Sequence, residues 1–162
     1  MSAAAEATVD NKMVGMVNSL RITALAGLVM LILELGLGVW TNLYAHLPAS
    51  DHGKATFAAF GGAVADGPVG LALHALLGTL LIVTAVYLVV QAALVRQIAP
   101  IVLACVSLIA ILAAWSSGTK FVSDAANGAS FGMAVAIGVA ILGYVIILFI
   151  AIPTQMGRPP WQ

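Results

Sequence analysis

The chain has 162 residues, of which 62% are hydrophobic and 7% charged, and its formal net charge is zero. A soluble domain carries about 25% charged residues, so a water-soluble fold of this size could not hide so much apolar surface, and the bulk solvent is lipid. Zero net charge excludes the basic footprint of a nucleic-acid binder, and a single cysteine, Cys105, excludes an internal disulfide and a cysteine-based metal cluster.

Residues 1–19 are polar, with Glu6, Asp10 and Lys12, and read as a cytoplasmic tail, either mobile or a short interfacial helix. Residues 20–153 form the transmembrane domain. Its first apolar stretch is too long for a signal-peptide core and stays as an anchor. About 20 apolar residues cross the hydrocarbon core as a helix, and the apolar runs here lack the period-two alternation of a barrel strand. Span one covers about 22–43 and is interrupted by a single acid, Glu34; Trp40 and Tyr44 mark its end, where amphipathic rings favour the interface.

The loop from 44 to 67 carries His46, Asp51, His52, Lys54 and Asp66. Its apolar part, 55–65, is expected to lie on the membrane surface or to cap the bundle. Span two covers about 68–94, with Pro68 suited to the first helical turn. Arg96 and Pro100 bracket a short turn that makes span three, about 98–115, an antiparallel neighbour of span two. A polar loop, 116–128, leads to span four, about 130–152, and 154–162 is a second cytoplasmic tail. Two small-residue ridges, Ser130-Ala134-Gly138 and Gly132-Ala136-Ala140, suit close packing in lipid.

The fold class is therefore all-α, an integral membrane four-helix bundle with both termini on one side. Lys12, Arg21, Arg96 and Arg158 lie on that side, against Lys54 and Lys120 on the other. The positive-inside rule makes it the cytoplasmic side of the inner or plasma membrane, which leaves all three histidines in the outer half.

Two residues interrupt the apolar scaffold. His74 lies about 9 Å below the outer end of span two, at a depth where ionisable groups face the protein interior or a cavity. Gly70 and Gly78 flank it one turn either side on the same face. Each glycine costs about 1 kcal/mol in a helix interior, so the pair asks for a reason. One is clearance for a flat macrocycle, with His74 Nε2 on haem iron. The other is close helix packing, with His74 bonded to Glu34, Thr41 or a backbone carbonyl. The second axial position would fall to His52, His46 or Met133, with His52 favoured because the chain can turn back after Pro48. Glu34 lies about 20 Å from Arg21 and about 15 Å from Tyr44 along its helix. It is a proton relay, a hydrogen-bond partner for a cofactor or quinone headgroup, or a structural carboxyl. Gly27, Glu34, Gly38 and Thr41 share its helical face. Lys120 and Trp115 read as interface anchors.

The segments Leu33–Tyr44 (LELGLGVWTNLY), Asp51-His52-Gly53, Gly67–Gly78 and Ser130–Met133 resemble a family of small uncharacterised four-span bacterial membrane proteins. The four-span layout and the His74 segment also distantly resemble one four-helix half of haem A synthase, or a membrane cytochrome b. That resemblance implies haem b binding in the outer half. Three functions follow as expectations. The first is a small membrane cytochrome passing electrons to a membrane redox partner, without catalytic activity of its own. The second is a cofactor-free accessory subunit or homo-oligomer. The third is a proton-coupled carrier using Glu34 and His74.

Overall fold

A computed structural model of the chain describes residues 3–44, 53, 55–124 and 127–151, with side chains for all of these except 3–10, 56, 124 and 127. The described residues form five helices and no strand: α1 (Ala3–Tyr44), α2 (Thr56–Ala65), α3 (Val69–Val95), α4 (Ile98–Asp124) and α5 (Asn127–Ile150). Four of them are long and apolar enough to cross a membrane, over Asn11–Tyr44, Val69–Val95, Ile98–Ser123 and Gly128–Ile150. The protein is an all-α four-helix bundle, as the composition and run lengths predict.

Packing follows a ring. α1 contacts α3 and α5, α4 contacts α3 and α5, and the short α2 covers one end by packing on α3 and α4. At the end away from α2 the core is close-packed around Tyr144, Leu20, Leu88 and Ile147, all fully buried. A Cβ at Gly27 would overlap the Tyr144 ring, and one at Gly143 would overlap the Ser107 hydroxyl. These glycines let α1 reach α5, and α5 reach α4, at backbone distance.

Two boundaries differ from the sequence expectation. Residues 3–19 are not a separate tail but the first turns of α1, whose 42 residues span about 63 Å, roughly twice the hydrocarbon thickness. Residues 116–124 are not a loop: α4 continues to Asp124, and the Ser116 and Thr119 hydroxyls donate to the carbonyls of Ala113 and Ser116 at 3.0 and 2.9 Å. Local bonds of this kind satisfy polar side chains without leaving the helix. Of the two small ridges on α5, the one through Gly132 and Ala140 packs inward, with Gly132 against Ser117. Ala134 is exposed, and a Cβ on Gly138 would meet open space.

The α2 end is built by tight turns. Gly67 lies so close to the Ala63 carbonyl that a Cβ would overlap it, and the Pro68 carbonyl accepts from the Leu71 and Ala72 amides to start α3. Ala59 and Ala63 of α2 bury themselves against Leu71 and Val122, so 56–65 caps the bundle. At the other end Arg96 adopts the left-handed conformation (φ 59°) and closes α3 by donating to Ala92 and Ala93. The two-residue link of Arg96 and Gln97 sets α3 and α4 antiparallel.

Candidate functional site

Beneath α2 the packing opens. A cavity of about 200 Å³ lies between the four long helices, with Glu34, Thr41, His74, Trp115 and Met133 on its wall and Phe60 of α2 above. The periodicity of each helix brings these together. Glu34, Gly38 and Thr41 recur at one face of α1, His74 and Gly78 at one face of α3, and Trp115, Gly118 and Thr119 at one face of α4.

The centre of the site is a pair. His74 Nδ1 lies 3.0 Å from Glu34 Oε1. The distance is that of a hydrogen bond, but among the described residues Nδ1 has no partner in line with its bonding direction, so the contact is a close polar pair. Glu34 is buried, 5% exposed, and His74 is partly buried. Two glycines make room for them. A Cβ at Gly38 would sit 3.2 Å from His74 Cε1, and one at Gly78 would sit 2.9 Å from Glu34 Oε1. Gly70 serves the same interface differently, because a Cβ there would overlap the Trp40 ring. Trp40 thus closes the α1–α3 seam.

The second feature is a set of polar atoms with nothing to bond. Glu34 Oε2, Thr41 Oγ1 and Trp115 Nε1 are buried and have no hydrogen-bond partner among the described residues, and their residues all line the cavity. A buried polar group left unpaired costs about 1–3 kcal/mol; a cluster of them around one space marks a place where an occupant supplies the partners. Together the three atoms provide an acceptor, a group that donates and accepts, and a donor. With Nδ1 turned to Glu34, the ring nitrogen that His74 offers a ligand is Nε2.

Of the residues singled out from sequence, His74, Glu34, Gly78 and Met133 meet at this cavity. Met133 Sδ also lies 3.5 Å from where a Gly118 Cβ would be. Gly70 is spent on Trp40. His46 and His52 lie outside the described residues. Lys120 is exposed. Trp115 differs from expectation. It is half-buried and in ring contact with Phe57 and Phe60, at centroid distances of 6.0 and 5.6 Å, a role in holding α2 that the anchor reading does not include. Its role was hidden because Phe57 and Phe60 reach it only once α2 folds back over α4. Among the described residues no group of three or more His, Cys, Asp or Glu is placed to hold a metal ion.

For haem, the donor chemistry fits in part. A ligating histidine commonly gives its second nitrogen to a carboxylate, and Glu34 Oε1 lies 3.0 Å from His74 Nδ1. The space fits less well. About 200 Å³ is below the roughly 300–1,000 Å³ of pockets that hold drug-sized ligands, and the glycine clearances are filled by Trp40 and Glu34. No protein-family model, no curated protein and no solved structure matches this chain.

Proposed function

We propose that this chain is a small multi-pass membrane protein that binds a small molecule in the α2-capped half of its bundle. The Glu34–His74 pair is its polar contact and exchanges a proton with it. One observation carries this reading: the unpartnered Glu34 Oε2 beside Thr41 Oγ1 and Trp115 Nε1 at one cavity about 15 Å from the end of α1. A structural carboxyl at that depth would have its bonds satisfied by neighbouring helices. Carboxyl and imidazole together can take up and release a proton, which suits them to proton exchange with a bound molecule. Lys12, Arg21 and Arg96 lie toward the far end and Lys120 toward the α2 end. This charge bias supports an orientation with α2 outside and the far end in the cytoplasm of the cell membrane.

Haem b is the second reading, favoured by the Glu34-backed His74 with Met133 on the same cavity. In that case His74 Nε2 would hold the iron, and the group would supply one-electron chemistry.

One preparation tests both. The protein is extracted from its own membrane in mild detergent, its reduced-minus-oxidised absorbance is recorded, and organic-soluble material is analysed by mass spectrometry. The first reading predicts a co-purifying organic molecule that is depleted in Glu34→Gln and His74→Leu, with no Soret band. A Soret band lost in His74→Leu supports haem. Folded protein with neither overturns both.

A further inference from the structure

We infer that the molecule is an isoprenoid quinone or its quinol, entering head-first from the lipid through an opening between α1 and α5. This rests on the cavity being a ligand site, and names the ligand class.

The route comes first. At 100° per residue, Leu35, Val39 and Leu43 lie on one strip of α1, beside the face of Glu34, Gly38 and Thr41. All three line the cavity and are also exposed on the outside of the bundle, Val39 by 53% and Leu43 by 65%. On α5 the exposed Ala134 lines it too. The α1–α3 seam is closed by Trp40 on Gly70, and the top is covered by α2 on α3 and α4. Among the described residues the side between α1 and α5 is left open, and it faces hydrocarbon, so the occupant has an apolar body.

The head is set by the polar atoms. Among the described residues no lysine or arginine lines the cavity, and the acidic one on its wall is Glu34. A phosphate or fatty-acid head would therefore bring a buried negative charge to a carboxyl with no cation to offset it, a cost that such sites avoid. The head is neutral. It must satisfy a donor at Trp115 Nε1, a donor–acceptor at Thr41 Oγ1 and acceptors at Glu34 Oε2 and His74 Nε2. A quinone carbonyl accepts from the first two; a quinol hydroxyl donates to the last two. The cavity admits a ring-sized head, and the Trp115 and Phe60 rings on its wall offer faces for a flat ring to stack on. A neutral flat head with oxygens that change from acceptor to donor, on an apolar tail, is a quinone.

The test uses the whole chain in lipid nanodiscs and follows tryptophan fluorescence as decylubiquinone is titrated. Saturable quenching that disappears in Trp115→Phe is expected. Glu34→Gln and His74→Leu shift its midpoint about tenfold or more upward, the effect of one lost hydrogen bond to a charged group. Two lipid-facing variants guard against misfolding. Ala134→Phe, at the opening, weakens binding, while Val135→Phe, its exposed neighbour that does not line the cavity, leaves the midpoint unchanged. Quenching that rises linearly and equally in all variants overturns the proposal. If it does so while a different molecule co-purifies, only the quinone assignment fails; if nothing co-purifies either, the ligand site fails with it.

Discussion

Gly78 faces Glu34 across the α1–α3 interface so closely that a Cβ at 78 would lie 2.9 Å from Oε1. The glycine is there for the carboxyl. Gly78→Ala should push the carboxylate off His74 while gaining up to about 1 kcal/mol of helix propensity. Stability is therefore expected to change by less than about 1 kcal/mol, whereas the His74 Nδ1 resonance in ¹⁵N NMR moves because its partner has left.

Gly70 and Gly36 make the opposite comparison. A Cβ at Gly70 collides with the Trp40 ring, and one at Gly36 meets open space. Gly70→Ala should destabilise the bundle by about 1–3 kcal/mol through overpacking, and Gly36→Ala should be neutral or stabilise by up to about 1 kcal/mol. Unfolding in mixed detergent–SDS micelles measures both.

The Glu34–His74 contact can be weighed by a double-mutant cycle. Removing one member leaves the other's polar atoms uncompensated and costs about 1–3 kcal/mol. Glu34→Leu and His74→Leu are each expected in that range. The double variant should lose less than their sum, by a coupling of about 0.5–3 kcal/mol. Additive losses would mean that the two side chains are neighbours without being partners.

The cap depends on its aromatic contacts. α2 has only 10 residues, too few to hold as an isolated helix, and Phe57 and Phe60 tie it to Trp115. Phe60→Ala should speed amide hydrogen exchange across 56–65 by an order of magnitude or more, given about 0.5–1.5 kcal/mol for the ring pair plus the buried area. Exchange in α3 and α5 should not change.

Much of this was legible in the sequence, for a physical reason. In lipid every backbone bond closes within its own helix, so long apolar runs with Pro68 and Arg96 as punctuation fix four helices and their order. The same logic exposes His74 and Glu34, because charge in such a run needs an explanation. The flanking glycines could be seen but not assigned, since sequence does not tell whether Gly70 and Gly78 clear space for a ligand or for Trp40 and Glu34. Ser116 and Thr119 looked like loop because their carbonyl bonds become available only in a formed helix. Trp115 looked like an interface anchor because it stands at the end of an apolar run. Its burial depends on a contact with α2 more than fifty residues earlier in the chain, which local pattern does not encode.

The most direct measurement is an experimental density map of the protein extracted from its own membrane, read at the cavity between Glu34, Thr41 and Trp115. The account predicts non-protein density extending from that point toward the α1–α5 opening, within hydrogen-bond reach of Glu34 Oε2. A closed core, with Glu34 Oε2 bonded to Thr41 or another side chain and no space left, would contradict it.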